Sequence, residues 1–185
     1  DADRYRRLLV DGKPIESRLA GELDSHLNAE IALGVVDDIE DVMGWLETTF
    51  YYARAASAPE EYDDADSLRD RVSDTLERLV DGGFVDQSGL EIEPTHLGRL
   101  ASQFYLRLDT AEAFHALCER ATDADLPDLD ESAVLRTVAD AGEFDSVSAR
   151  RDERETFGAV LDGEGDELEP GNRKVLAILR AGMSG

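Results

Sequence analysis

The chain has 185 residues, 42% of them hydrophobic, which suits one or two small domains with a modest core. Asp and Glu number 43 against 19 Lys and Arg, a formal net charge of −24 that counts against strong independent binding to nucleic acid. No apolar run reaches the ~18 residues of a membrane span, no signal-peptide pattern opens the chain, and the single Cys118 excludes an internal disulfide.

One free cysteine fits a reducing cytoplasm. The acids are spread along the whole length, and Lys13 and Lys174 are the only lysines. Dispersed acid with scarce lysine is expected of a protein from a salt-loving, archaeal organism, where concentrated salt screens self-repulsion.

The segment Asp1 to Lys13 begins without Met, and Arg4, Tyr5, Arg6 and Arg7 read as the tail of an earlier element. Residues 1–15 are therefore expected to be a linker, and the chain a piece of a longer protein. Pro14 marks an extended junction. A first helix, roughly Ile15 to Leu33, carries Leu19, Leu23, Leu27 and Ile31 at every fourth position, and Gly34 closes it. A second, roughly Asp38 to Ser57, has Asp37 or Asp38 as its cap and Ile39, Val42, Met43, Leu46 and Phe50 as its stripe. Trp45, Thr49 and Tyr52 add a rotated second strip, which either contacts a second neighbour or widens one core. Ala58-Pro59 and the acids up to Asp66 read as a surface loop. A third helix, from Asp66 or Ser67 to about Val80, buries Leu68, Val72, Leu76 and Leu79 and ends at Gly82-Gly83.

Phe84-Val85 begin a strand, Gln87-Ser88-Gly89 supply turn chemistry, and Leu90-Glu91-Ile92 alternate as a second strand. Three helices followed by a β-hairpin is the order of a winged helix. Thr95 caps a fourth helix with Leu97, Leu100, Ala101, Phe104 and Leu108 inside. Asp109 or Thr110 caps another, to about Arg120, with Ala113, Phe114 and Leu117 apolar. A loop with Pro127 precedes a helix from Glu131 to Ala141 that buries Val134, Leu135 and Val138. The stretch from Gly142 to Leu161 then changes from irregular to another helix. An acidic loop, Gly163 to Gly171, leads to an apolar helix from Val175 to Met183.

No catalytic residue and no metal site are expected. Gly12-Lys13-Pro14 lacks the upstream glycine and the hydroxyl residue of a phosphate-binding loop, so no ATP site is read here. His115 and Cys118 lack two further ligands for zinc, and paired carboxylates are commonplace in so acidic a chain. The third helix offers Arg69, Arg71 and Arg78 outward but also Asp70, Asp74 and Glu77, a mixture poorly suited to a groove lined with phosphates. Arg150, Arg151 and Arg154 form a dense basic spot. They are candidates for phosphate contact, unless Asp152, Glu153 and Glu155 hold them in local ion pairs.

Several stretches together resemble a known pattern. They are Pro14-Ile15-Glu16-Ser17, Leu27-Asn28-Ala29-Glu30-Ile31, Trp45-Leu46 and Thr49-Phe50 with Tyr52 and Arg54. Thr95-His96-Leu97-Gly98-Arg99, Ala101-Ser102, Phe104-Tyr105 and Asp109-Thr110 continue it, followed by Glu143-Phe144 with Val147, Arg150 and Glu153, and by 172–181. This order is similar to the winged helix and following Sec63-like helical domain of Ski/Brr/Mer-type superfamily-2 helicases, nearer the Brr/Mer branch. The resemblance implies a mainly α protein with a small β-wing, divided into linker 1–15, winged helix 16–108 and the start of a helical domain at 109–185.

It also implies a function. The module would couple two RecA-like domains of the same chain, which use ATP and Mg, to the guidance of single-stranded DNA or RNA, in settings such as DNA repair. Asn28, Glu30, Trp45 and Tyr52 would make the interdomain contact, and Arg150, Arg151 and Arg154 would meet the strand. Two alternatives remain, a free-standing winged-helix DNA-binding regulator and a winged-helix protein-interaction scaffold.

Overall fold

The computed structural model describes residues 5–6, 17–57, 62, 65–122 and 130–183. The expected Pro14 junction, most of the 1–15 linker, the Ala58-Pro59 loop and the Pro127 loop lie outside these residues. The chain divides into two compact units, Asp1–Thr95 and His96–Gly185.

Unit 1 opens with a 3-10 turn, Leu19–Gly21, followed by α1, Leu23–Ala32. The first helix therefore begins later than the leucine period suggests, because Leu19 belongs to the tighter turn. Leu23, Leu27 and Ile31 form its buried face. Gly34, at φ +70, ends it with the paired bonds of a Schellman motif, from the Gly34 N–H to the Ile31 carbonyl and from the Val35 N–H to the Glu30 carbonyl.

The expected single second helix is two, α2 (Ile39–Glu47) and α3 (Phe50–Ser57). Asp38 caps α2 through its Oδ1, which accepts the Asp41 N–H at 2.8 Å. The break falls at Thr48-Thr49. Their hydroxyls donate back to the carbonyls of Trp45 and Leu46, each at 2.6 Å, and occupy acceptors that a continuing helix would need. The break shifts the phase of the apolar stripe. Phe50, expected inside, is 51% exposed, and Tyr51 takes the buried position at 4%.

Helix α4, Ala65–Asp81, buries Leu68, Val72, Leu76 and Leu79 as the spacing predicts. It packs on α1 and on the hairpin. Gly83, at φ +72, repeats the Schellman ending. The strands are β1 (Val85–Ser88) and β2 (Glu91–Pro94), antiparallel, with Ser88 opposite Glu91. Gln87 and Ser88 are thus in the strand rather than the turn. The turn is Gly89-Leu90, with Gly89 at φ +68, as a two-residue hairpin loop requires. A third strand-like segment was not anticipated. Asp38 bridges Glu91, and the Ile92 N–H donates to the Asp37 carbonyl at 2.8 Å, so the chain between α1 and α2 edges the wing. The Thr95 hydroxyl closes the hairpin base by donating to the carbonyls of Gly83 and Phe84.

Unit 2 comprises α5 (His96–Phe104), α6 (Leu108–Thr122), α7 (Glu131–Ala139), α8 (Arg151–Leu161) and α9 (Pro170–Met183), with a 3-10 turn at Gly142–Phe144. Phe104, expected inside, is exposed because α5 stops there and Tyr105 turns the chain at φ +54. Leu108 consequently opens α6 instead of closing α5. On α7, Val134 is exposed and Leu135 and Ala139 are the buried pair.

The core of this unit joins Leu135 and Ala139 to Phe157 and Leu161 of α8 and to Val175, Leu176 and Ala177 of α9. Helix α9 starts five residues earlier than the apolar run suggests, with Pro170 in its first turn, where a missing N–H costs nothing. Its start lies so near the preceding chain that a Cβ on Gly171 would stand 2.0 Å from the Val147 carbonyl oxygen. Among the described residues no helix is long and apolar enough to cross a membrane.

Candidate nucleic-acid and docking surfaces

Four residues were expected to make an interdomain contact. Asn28 lies within the inward face of α1, 1% exposed between Leu27 and the Ile31 turn. Glu30 is half-buried on the same helix, and Trp45 and Tyr52 are half-buried on α2 and α3. Trp45 and Tyr52 stand on opposite sides of the Thr48-Thr49 break, and the Tyr52 N–H donates to Thr49 Oγ1 at 3.3 Å. The surface in this set is therefore carried by Glu30, Trp45 and Tyr52.

Helix α4 holds the position of a recognition helix. Its outward side is as mixed as the sequence suggests, and Arg78 bends back to donate to the buried Thr75 hydroxyl at 3.2 Å. A groove of about 610 Å³ runs between α2 and α4. The sequence reading missed it, because a groove depends on the spacing of two helices and not on either stripe.

In unit 2, Arg150, Arg151 and Arg154 are exposed around the first turn of α8. Local pairing was the alternative to phosphate contact. Instead, Glu153 turns elsewhere. Its Oε2 accepts the Arg150 backbone N–H at 2.7 Å, and its Oε1 takes the Lys174 ammonium at 2.8 Å. The Lys174 hydrogen bond, then the Arg150 N–H, hold the Glu153 carboxyl below its ordinary value. Among the described residues none of the three guanidiniums makes an ion pair, and the one side-chain bond is from Arg154 Nε to the Ala149 carbonyl at 3.3 Å.

Several other cations of this unit are engaged. Arg180 pairs with Glu131 and Glu164, Arg173 with Asp166, and Arg107 with Asp109 and Asp145. Arg99 and Arg120 make no ion pair among the described residues either, but each stands alone, so the basic spot is distinguished by gathering three such guanidiniums. A cleft of about 550 Å³ beside Arg154 is also lined by Asp140, Asp145 and Glu169, so an anion is better placed on the outer flank of α8 than in the cleft.

One tie was visible only as fragments in the sequence. Glu143 accepts the Arg107 N–H at 2.8 Å and the Thr110 hydroxyl at 2.6 Å, and the Gly142 N–H donates to the same hydroxyl at 3.1 Å. These bonds fasten the start of α6 to the turn before α8.

Elsewhere, Asp37, Asp38 and Asp41 gather their carboxylates within 4.8 Å at the start of α2. A hydrogen bond shared with Asp37, and then the charge of Asp38, hold the Asp41 carboxyl above its ordinary value. His115 on α6 lies 3.6 Å from Glu119, and Cys118 is exposed.

The fold thus defines a winged-helix domain followed by a helical domain. Residues 16–91 match the winged helix-turn-helix domain family, and residues 94–185 match the Sec63 Brl domain family. The chain belongs to the Ski/Brr/Mer-type superfamily-2 helicase family, in which it corresponds to the winged-helix and Sec63 segment.

Among its relatives, activating signal cointegrator 1 complex subunit 3 of Bos taurus is 31% identical over 161 residues, 82% of this chain and 7% of that protein. The DExH-box ATP-dependent RNA helicase DExH12 of Arabidopsis thaliana is 28% identical over 85% of this chain and 7% of its own length. The probable ATP-dependent DNA helicase HFM1 of Homo sapiens is 29% identical over 85% of this chain and 11% of its own length. The chain spans only 7% to 11% of these curated relatives.

Proposed function

We propose that this chain is the accessory module of an ATP-dependent nucleic-acid helicase, joining a RecA-like motor to the guidance of a single strand. The observation that carries the reading is the succession of winged-helix and Sec63 matches along this chain, 16–91 then 94–185, which has relatives named as RNA and DNA helicases. On this reading ATP and Mg belong to RecA-like domains elsewhere in the parent chain. The strand is single-stranded DNA or RNA, and DNA repair is one setting for it.

Arg150, Arg151 and Arg154 supply the phosphate contact. Exposed guanidiniums without carboxylate partners are the side chains best able to accept a phosphate bidentately. Glu30, Trp45 and Tyr52 supply the surface toward the motor, with Asn28 bracing α1 beneath them. The dispersed acid, 43 residues against 19 basic ones, supports a salt-loving source, read as archaeal, and the single Cys118 suits a reducing cytoplasm.

The gene upstream of Asp1 tests the reading first. Two RecA-like domains with a lysine-bearing phosphate loop are expected, and a start codon immediately ahead of Asp1 would overturn it. In the full protein, Arg150→Glu with Arg151→Glu is expected to weaken single-strand binding at least about tenfold while basal ATP hydrolysis persists. Trp45→Ala is expected to uncouple ATP hydrolysis from unwinding more than it unfolds the module. Equal loss of fold and of both activities would count against the Trp45 assignment.

A further inference from the structure

The groove between α2 and α4 has an apolar floor and an acidic rim. Val72 and Leu76 form the floor at 3% and 4% exposure, and half-buried Ile39 and Met43 face them from α2. On the rim stand Glu40, Asp70 and Glu77, with Arg69 as the opposing charge. Among the described residues these carboxylates make no ion pair. At one end Gln87 is held by its own hydrogen bond to the Gly89 carbonyl at 3.2 Å. At about 610 Å³ the groove has room for a few side chains.

We propose that this groove docks an amphipathic helix of a separate partner protein, one that presents Leu-like anchors on a single face and Arg or Lys beside them. The anchors would displace water from half-buried Ile39 and Met43 and come to rest over Val72 and Leu76, in the way helix-in-groove recognition uses residues at i, i+3, i+4 and i+7. The flanking cations would meet carboxylates that make no ion pair among the described residues. Nucleic acid is the poorer occupant. A duplex brought to α4 would set its phosphates against Asp70, Asp74 and Glu77. The inference stands apart from the helicase reading, since it concerns neither strand nor motor.

The test uses the 185-residue chain and a fluorescein-labelled synthetic helix with in-phase Leu and flanking Arg, followed by anisotropy. A second peptide of identical composition has its Leu residues scattered around the helix. The in-phase peptide is expected to bind at least about tenfold more tightly than the scattered one. Met43→Ser and Glu77→Lys are each expected to weaken it by about tenfold without changing the melting curve. If Met43→Ser melts early, Glu40→Lys on the exposed rim supplies the same readout. Equal binding of the two peptides would reduce the effect to general attraction by an acidic protein and overturn the proposal. So would displacement by a DNA duplex at comparable concentration, or self-association of the chain abolished by Met43→Ser.

Discussion

Glu143 shows what one carboxylate contributes to unit 2. Burial works to raise its pKa, but the Thr110 hydroxyl and the Arg107 N–H outweigh it, and the carboxyl lies below its ordinary value. A group more acidic in the folded than in the unfolded chain stabilises fully above its unfolded pKa. That contribution is lost as pH falls through the folded one. The contribution of Glu143 is therefore expected to fade as pH drops through and below the carboxylate range, about pH 4. Glu143→Gln is expected to be less stable at neutral pH and to lose less over that acid window. Melting temperatures against pH for both proteins check this, and parallel curves would refute it. Arg107 braces the same spot, donating to the Gly142 carbonyl at 3.0 Å and to Asp145 at 2.8 Å.

Glycine has opposite meanings in two of the helices. Gly44 sits inside α2 with open space where a Cβ would go. Gly44→Ala is expected to stabilise the chain by roughly 0.5–1 kcal/mol, because alanine loses less entropy in a helix. Gly83 also has open space, but its φ is +72, so Gly83→Ala is expected to cost about 1–2 kcal/mol from backbone strain alone. Denaturant midpoints of the two variants should move in opposite directions.

The same helices show what a sequence makes legible. Helix α4 was readable because a regular stripe, Leu68 to Leu79, ends at two glycines, so period and terminator agree. The α2–α3 break was not, because two threonines are only mildly unfavourable in a helix and the apolar spacing runs on past them, while the interruption comes from their back-bonding hydroxyls. Arg150, Arg151 and Arg154 were readable as a basic spot. Their freedom from ion pairs was not readable, since Lys174, which occupies Glu153, is 21 residues away in sequence. The α2–α4 groove left no sequence signal for the same reason, its two walls being set by packing.

Across the whole molecule the dominant quantity is the net charge of −24. Repulsion among exposed carboxylates extends over about 10 Å at 0.1 M salt and about 3 Å at 1 M. The surface ion pairs weaken over the same range, but isolated exposed pairs contribute little, so relief of repulsion governs. Thermal melts followed by circular dichroism are expected to shift upward as KCl is raised from tenths molar to molar. A melting temperature that stays flat or falls would remove the salt-adapted reading of the composition and leave the fold assignment intact.

The close approach of Gly171 to Val147 has a mechanical meaning. Backbone meets backbone there, with no side chain between to yield. A second fastening, from Lys174 to Glu153, lies one turn along α9. The first turn of α9 is thus held twice, against the chain that leads into α8 and by an ion pair to the first turn of α8 itself. A side chain at 171 would force that approach open and loosen the segment from which Arg150, Arg151 and Arg154 project.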